Sequence, residues 1–356
     1  MSNLDLHRRQ GNEQESVTAQ RKAEHVRICL EEQVNGVGIT TGLEHYRFVH
    51  QALPEINFHD ISIRTEWLGK SMAAPFLISS MTGGSHGTGA INRRLAAAAE
   101  ARGWAMGVGS VRAAVEDETV ADTFRLRDVA PSIPLLANIG AVQLNMGMGI
   151  DHCRRAVDIV EADALVLHLN AMQEVFQPEG DVNFSRLLPK IEALCSQLGV
   201  PVGVKEVGWG IAADTACQLA EAGVSFIDVA GAGGTSWSQV EKLRSTAGVR
   251  RRAAEAFADW GIPTADSIIQ VREALPGMAL VASGGLHHGV DAAKALALGA
   301  NLAGYGRSLL TSAVHTDEAV YEMLEQVELE LKIAMFGIGA ASLGELRGTS
   351  RLTKEG

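Results

Sequence analysis

Residues 220–230 read AEAGVSFIDVA, and this short stretch carries the pattern on which the fold depends. An alanine-rich helical end leads to Gly223, which is followed by an apolar run that ends at Ala230. A glycine directly after a helix adopts the left-handed conformation that turns the chain, so the stretch predicts a helix, a tight turn and a buried strand. Similar units stand at residues 99–109 (AEARGWAMGVG) and 297–306 (ALGANLAGYG).

Apolar runs of this kind recur along the chain and alternate with amphipathic helical stretches. The predicted strands are Pro75–Ser79, Trp104–Gly109, Pro134–Asn138, Ala164–His168, Val202–Glu206, Phe226–Ala230, Ala279–Ser283 and Leu302–Gly306. Strands that are apolar throughout and separated by helices indicate a parallel sheet covered on both faces. Because there are eight such units, a closed barrel is favoured over an open sheet. We therefore predict an α/β protein with a (β/α)8 TIM barrel.

The predicted barrel occupies residues 71–345. The polar residues 1–20 predict a flexible N-terminus, and residues 21–70 predict an N-terminal extension that contributes to the substrate site. Residues 346–356 form the predicted C-terminal tail. The longest link between strands, residues 231–278, contains one predicted helix and a polar, arginine-rich part that indicates a lid or mobile loop.

Composition and charge narrow the class of protein. The chain has 356 residues and a formal net charge of −11, which makes it a poor general binder of nucleic acid or anionic membranes. The four cysteines form no C-x-x-C pair, and the apolar helical patterns around Cys195 and Cys217 predict core thiols in a reducing compartment. The sequence shows neither a signal peptide nor an apolar run long enough to span a membrane, so we expect a cytoplasmic protein.

Polar residues follow the predicted strands at their carboxyl ends, where barrel enzymes place their chemistry. In strand order they are Met81, Thr82 and Gly83; Ser110, Val111 and Arg112; Asn138; His168, Asn170, Gln173 and Glu174; Lys205; Thr235; Gly284 and Gly285; and Gly306. Stability alone does not explain polar residues at one end of eight apolar strands. His168 taken alone is equally well explained as a core histidine with satisfied hydrogen bonds.

The glycines after the last two strands indicate a phosphate site. Gly284, Gly285 and Gly306 stand where barrels bind phosphate through backbone N–H groups and a helix N-terminus. Thr82, Asn138, Lys205 and Thr235 would ring the mouth and hydrogen-bond a flat polar heterocycle. A lysine at that place stabilises negative charge on a reduced flavin, so we predict FMN as the cofactor.

A second anion site is indicated by basic residues elsewhere. Arg21 and Lys22 form a basic cluster in the N-terminal extension, and Arg112 lies at the predicted mouth. Glu174, with Gln173 beside it, would hold Mg²⁺ between a carboxylate and the oxygens of a diphosphate. Surface charge is the ordinary explanation for Arg21 and Lys22 on their own.

Five motifs together resemble the type 2 isopentenyl-diphosphate delta-isomerases over residues 21–345. They are RKAEH (21–25), MTGG (81–84), HLNAMQE (168–174), KEVG (205–208) and AGAGGTSW (230–237). The resemblance implies FMN, NADPH to reduce it, Mg²⁺, and the interconversion of isopentenyl diphosphate and dimethylallyl diphosphate with reduced FMN as acid and base. It also suggests a homo-oligomer, either a tetramer or an octamer.

The resemblance, together with the pattern above, assigns a role to each candidate residue. The predicted catalytic residues are Lys205, Gln173, Glu174 and His168; Glu174 is also the metal ligand. The predicted substrate-binding residues are Arg21, Lys22, Ser110, Val111, Arg112, Asn170 and Gln173. The predicted cofactor-binding residues are Met81, Thr82, Gly83, Ser110, Asn138, Lys205, Thr235, Gly284, Gly285 and Gly306.

Three other classes of protein compete with this interpretation. An FMN-dependent 2-hydroxy-acid oxidase needs a histidine base, and the corresponding loop, residues 231–234, has none. A nucleotide barrel similar to IMP dehydrogenase needs a cysteine in the same region, which is also lacking. A non-catalytic flavin-binding barrel explains the glycines but neither Gln173 and Glu174 nor the basic pair at Arg21.

Overall fold

A computed structural model describes residues 17–84, 86–245 and 248–355. Residues 1–16, which make up most of the predicted flexible N-terminus, lie outside the described residues. The N-terminal extension holds α1 (Val17–Glu31), β1 (Tyr46–Phe48), β2 (Thr65–Trp67) and β3 (Lys70–Met72). β2 and β3 form an antiparallel hairpin.

The predicted barrel is confirmed. Its strands are β4 (Phe76–Ile78), β5 (Ala105–Gly107), β6 (Leu135–Gly140), β7 (Ala164–Leu169), β8 (Val202–Glu206), β9 (Phe226–Asp228), β10 (Ala279–Ala282) and β11 (Leu302–Tyr305). Each strand pairs in parallel with the next, and the pairing of β11 with β4 closes the ring. Each predicted strand matches one of these, with shifts of one to a few residues at the ends.

Helices cover the outside of the barrel. They are α2 (His86–Arg102), α3 (Arg112–Glu116), α4 (Ile150–Val160), α5 (Ala171–Phe176), α6 (Leu188–Gln197), α7 (Ala213–Glu221), α8 (Trp237–Arg244), α9 (Gly248–Glu255), α10 (Thr264–Ala274), α11 (Gly289–Ala297), α12 (Arg307–His315), α13 (Asp317–Gly337) and α14 (Leu343–Leu346). A last strand, β12 (Leu352–Lys354), lies in the predicted tail and pairs antiparallel with β1 of the extension.

The hairpin of β2 and β3 closes the amino-terminal end of the barrel. Trp67 of the hairpin packs edge-on against Phe226, with ring centroids 5.0 Å apart. Both belong to a buried cluster that includes residues at the start of several strands, among them Ala105, Ala164 and Leu302. This end of the barrel is therefore filled with apolar side chains, which leaves the opposite end for polar chemistry.

Helix α1 packs on α8 at the carboxyl end of the barrel. Ile28 and Val34 of the extension form a buried apolar cluster with Val240, and Trp237 packs against it. The N-terminal extension is thus attached to the link between β9 and β10 by burial of apolar side chains.

The link at residues 231–278 was expected to hold one helix, but it holds α8, α9 and α10. The thiols expected in the core, Cys195 of α6 and Cys217 of α7, are only half-buried. Cys195 packs against the edge of the apolar core.

Candidate active site

A cavity of about 470 Å³ opens at the carboxyl ends of the barrel strands, a volume typical of small-molecule sites. Its wall joins helix α1 to the loops that follow the strands. The predicted site residues in this wall are Arg21, Lys22, Met81, Thr82, Ser110, Arg112, Asn138, His168, Asn170, Gln173, Glu174, Lys205, Thr235, Gly284, Gly285 and Gly306. The structure therefore gathers nearly all of the residues singled out from the sequence.

Val111 and Gly83 do not form part of the cavity wall. Val111 is fully buried, and its backbone N–H donates to the carbonyl oxygen of Asn138 at 2.8 Å. Gly83 has a φ of +147°, and a Cβ there would lie 2.3 Å from the Phe124 ring. Both residues shape their loops through the backbone, and the contacts of both with a ligand stay predictions.

Several buried polar atoms in the cavity wall have no hydrogen-bond partner among the described residues. They are Ser79 Oγ, Thr82 Oγ1, Asn170 Oδ1, Arg307 Nη1 and Ser308 Oγ. A buried polar atom left unpaired costs about 1–3 kcal/mol, so such a cluster is expected where a ligand or ordered water supplies the partners. The wall is therefore suited to a polar ligand with several hydrogen-bonding groups.

The loops after β10 and β11 provide the features of a phosphate site. Gly284 has a φ of +104°, and a Cβ there would lie 2.2 Å from the carbonyl oxygen of Gly231, so only glycine allows this approach of two loops. Helix α12 begins directly after Gly306 and carries the unpaired Arg307 Nη1 and Ser308 Oγ in its first turn. A helix N-terminus with a guanidinium and a hydroxyl binds phosphate well.

Sequence reasoning missed Ser79, Arg307 and Ser308 as candidate ligand contacts. Ser79 directly follows β4, and the other two open α12. The signal that could have found them is their position at the carboxyl ends of the first and last barrel strands.

Lys205 lies at the end of β8 and is largely buried. The pKa of Lys205 is lowered, because the effect of burial exceeds the opposite effect of the nearby carboxylates of Asp228 and Glu206. Its Nζ donates a hydrogen bond to the carbonyl oxygen of Glu206 at 2.6 Å. A buried cation in the cavity wall suits a ligand on which negative charge develops.

His168 is neutral in this environment. Burial, with the positive charges of Lys205 and Lys22 nearby, lowers the pKa of His168 to about 3. Its Nδ1 lies 2.8 Å from Oδ1 of Asn138. Because an amide oxygen only accepts, Nδ1 carries the hydrogen, and Nε2 is left as an acceptor. His168 therefore positions a ligand or Asn138 rather than supplying a charge.

The basic side of the cavity comes from α1. Lys22 Nζ donates to the carbonyl oxygens of Gly83 at 2.5 Å and Ser110 at 3.1 Å. Burial, with Arg21 adding a smaller effect, lowers the pKa of Lys22 to about 8. Arg112 lies in the same wall and pairs with Asp181 at 3.1 Å. Arg21, Lys22 and Arg112 thus line the same cavity, and two of these three cations come from the extension.

Glu174 is held in a fixed orientation within the cavity wall. Its Oε1 accepts a hydrogen bond from Asn170 Nδ2 and its Oε2 accepts one from the backbone N–H of Asp181, both at 2.7 Å. Burial raises the pKa of Glu174 despite these hydrogen bonds. The carboxylate is thus held in the cavity wall by two hydrogen bonds from neutral donors.

Glu241, on α8, is a second carboxylate that sequence reasoning missed. It is buried and accepts hydrogen bonds from His25 Nε2 at 2.9 Å, Arg244 Nη1 at 2.6 Å and Gln173 Nε2 at 3.5 Å. Burial alone would raise the pKa of Glu241, but His25 and Arg244 together lower it. Residues four apart lie on the same face of a helix, so Glu241 shares a face of α8 with Trp237. Prediction of α8 would therefore have indicated Glu241.

Comparison with known proteins agrees with this geometry. The family model of the FMN-dependent dehydrogenases matches residues 162–353. Among solved structures, a mandelate oxidase variant superposes with a TM-score of 0.64 at 20% identity, covering 94% of this chain and 98% of that one. A flavocytochrome b2 variant superposes with a TM-score of 0.66 at 18% identity, covering 93% and 82%. At these identities the superpositions show the shared fold alone.

Fold, cavity and family model together define the class: the chain is an FMN-dependent (β/α)8-barrel protein. Within that class, an isopentenyl-diphosphate delta-isomerase from Oceanobacillus iheyensis is 56% identical over 94% of this chain and 96% of its own. One from a Nostoc species is 51% identical over 95% and 96%. The chain therefore belongs to the isopentenyl-diphosphate delta-isomerase family of enzymes, of the FMN-dependent type. The family predicted from the sequence is confirmed.

No helix among the described residues has the length and apolar character needed to cross a membrane.

Proposed function

We propose that the protein interconverts isopentenyl diphosphate and dimethylallyl diphosphate by a 1,3-allylic proton shift. The observation that supports this most strongly is that one cavity carries two kinds of groups. The buried Lys205, the unpaired polar atoms of Ser79, Thr82, Arg307 and Ser308, and the glycine loops fit FMN. The cations Arg21, Lys22 and Arg112 fit a diphosphate.

The flavin would be held by hydrogen bonds and one charge. Lys205 would stabilise negative charge on the ring system. The ring system would be surrounded by Met81, Thr82, Gly83, Ser110, Asn138 and Thr235. Gly284, Gly285 and Gly306 would bind the phosphate, and Arg307 and Ser308 would add contacts there. When bound in its reduced form, FMN supplies the acid and the base for the proton shift.

The diphosphate would be bound by Arg21, Lys22 and Arg112, with Ser110 in the same wall. Val111, whose N–H is bonded to Asn138, would act by shaping the loop that carries Ser110 and Arg112. Asn170 and Gln173 would orient the substrate, since both line the cavity and the Oδ1 of Asn170 has no partner among the described residues. Gln173 also reaches the buried carboxylate of Glu241, which would fix its amide. The uncharged His168 would position the ligand without competing for protons.

Glu174 would bind Mg²⁺ together with the oxygens of the diphosphate. Mg²⁺ is usually held in this way, with one or two carboxylates and the remaining positions filled by phosphate oxygens and water. Within residues 17–84, 86–245 and 248–355, no group of three or more His, Cys, Asp or Glu side chains could hold a metal. A shared site of protein and substrate therefore fits the donor set better than a site built by protein alone.

NADPH is the proposed source of the electrons that reduce FMN. The reaction itself changes no oxidation state, so the reductant would be consumed only to activate the flavin. We further propose that the chain works in the cytoplasm, which suits its free cysteines.

A homo-oligomer, either a tetramer or an octamer, is supported by an apolar stripe on α13. Tyr321, Leu329 and Ile333 are 39%, 48% and 53% exposed and recur at helical spacing. Light scattering of the purified protein would measure the assembly, and a monomer at micromolar concentration would contradict this proposal.

The test that separates this function from a 2-hydroxy-acid oxidase uses one flavin-loaded preparation and two kinds of substrate. Under anaerobic conditions with Mg²⁺ and dithionite, isopentenyl diphosphate should give dimethylallyl diphosphate. Oxidised enzyme mixed with lactate, glycolate or mandelate should keep its yellow colour. Bleaching by a hydroxy acid, with no isomerised product, would contradict the proposal.

A further inference from the structure

Three titratable residues are neighbours at the carboxyl ends of three adjacent strands. In the parallel ladder, His168 of β7 is the register partner of Lys205 on β8, and Lys205 is the partner of Asp228 on β9. Register partners on neighbouring strands have their side chains on the same face of a sheet. Asp228 is thus on the same face as Lys205, yet neither the resemblance nor the cavity wall gives it a role.

The carboxylate of Asp228 is buried and fixed in place. The residue is 3% exposed. Its Oδ1 accepts hydrogen bonds from Ser283 Oγ at 2.6 Å and from the backbone N–H of Ala230 at 3.2 Å. A buried carboxylate is expensive unless an opposite charge stabilises it. Burial raises the pKa of Asp228, and the nearby positive charge that lowers it is Lys205.

Glu206, the other acid beside Lys205, is engaged elsewhere. Its Oε2 accepts the backbone N–H groups of Val207, Gly208 and Trp209 at 2.6–2.7 Å. Only its carbonyl oxygen contacts Lys205 directly. Burial also raises the pKa of Glu206 to about 7, so it is a weak counter-charge near neutral pH.

We propose that Asp228 is a positioning residue that keeps Lys205 protonated at the flavin site, and that Ser283 fixes the Asp228 carboxylate for this purpose. Through Lys205, Asp228 would favour the negatively charged reduced flavin over the oxidised form. The inference depends on FMN binding but not on the identity of the substrate.

The test is the midpoint potential of FMN-loaded Asp228→Asn, measured by dye equilibration. Loss of the counter-charge should let Lys205 lose its proton, so the reduced flavin should be bound at least tenfold more weakly relative to the oxidised form. For a two-electron couple, a tenfold change is a fall of about 30 mV. In a Lys205→Met background, the same substitution should change the potential little, because the cation is already absent.

A matched control is Asp163→Asn. Asp163 precedes β7 at the opposite end of the barrel, where it pairs with Lys70 at 2.7 Å and with Arg127 at 2.7 Å. This variant should lose stability without a change in potential. An unchanged potential in Asp228→Asn would overturn the proposal. A rise would also overturn it, because a rise means that Lys205 kept its charge.

If Asp228→Asn does not fold or does not retain flavin, the midpoint potential of Ser283→Ala tests the proposal instead. It removes one hydrogen bond to Asp228 without changing any charge. A smaller fall in potential that disappears in the Lys205→Met background would support the proposal, and no fall would overturn it.

Discussion

Lys22 Nζ lies 2.5 Å from the carbonyl oxygen of Gly83, so helix α1 reaches the loop that follows the first barrel strand. A second hydrogen bond, to the carbonyl oxygen of Ser110, joins the same ammonium to the loop after β5. The N-terminal extension therefore forms part of the cavity wall through a buried cation. This relationship supports the proposal that the extension completes the diphosphate site.

Replacing Lys22 by alanine should raise the KM for isopentenyl diphosphate about ten- to a hundredfold. A hydrogen bond to a charged group contributes about 1.5–3 kcal/mol, which corresponds to that range. Steady-state kinetics and flavin absorbance would be measured together, since the flavin content should stay unchanged. Arg27→Ala is the control, because Arg27 lies on the same helix and pairs with the exposed Glu31 one turn away. An unchanged KM would remove α1 from the substrate site.

The pH profile of kcat/KM should fall on the alkaline side. Since the pKa of Lys22 is lowered to about 8, its ammonium is charged below that pH and loses its proton above it. Binding of the anionic substrate by free enzyme should weaken as the pH rises through about 8. In Lys22→Arg the fall should move to higher pH, because a guanidinium stays charged. A profile that is the same in both proteins would contradict the assignment.

Glu174→Gln should raise the Mg²⁺ concentration needed for half-maximal activity at least tenfold. The amide keeps the shape but can accept only one of the two hydrogen bonds, and it lacks the charge that attracts the cation. Flavin binding should not change. Glu192→Gln, on the exposed face of α6, is the control. If Glu174→Gln kept the Mg²⁺ dependence of the unmodified enzyme, the proposed metal site would be elsewhere.

Glu241→Gln should destabilise the protein by about 1–3 kcal/mol near neutral pH, because it takes the charged partner from the half-buried His25 and one of three carboxylates from Arg244. Urea unfolding would measure the change. Since the pKa of Glu241 is lowered in the folded state, its contribution is present above the unfolded pKa and is lost as the pH falls through the folded pKa. The variant and the unmodified protein should therefore converge in stability under acid conditions. Equal stability at neutral pH would show that the network contributes nothing.

Much of the architecture could be predicted from the sequence because the barrel is built from local units. Each apolar run with a glycine turn beside it predicts its own strand without reference to distant residues. Eight such units favour a closed barrel, which is the observed topology. The residues at the strand ends then meet by topology alone. This is why Lys205, Asn138 and Gly284, far apart in the chain, were correctly expected in one cavity.

The parts that could not be predicted depend on contacts between distant segments. Helix α8 was missed because its sequence, WSQVEKLR, is mostly polar and has little apolar periodicity of its own. It is stabilised by packing against α1, through Val240 and Ile28, and its buried Glu241 is matched by His25 from the extension. Packing also decides that the Val111 side chain is buried outside the cavity wall. The pattern of residues at the strand ends does not show which side chains face the cavity.

The measurement that tests the central claim most directly is the number of dimethylallyl diphosphate molecules formed per NADPH consumed. The reaction would contain FMN-loaded enzyme, Mg²⁺ and isopentenyl diphosphate under anaerobic conditions, with a sample lacking flavin as the control. An isomerase that uses its reduced flavin without net redox change should form many product molecules for each NADPH, and none without flavin. One NADPH consumed per product, or equal turnover in the flavin-free sample, would contradict the account.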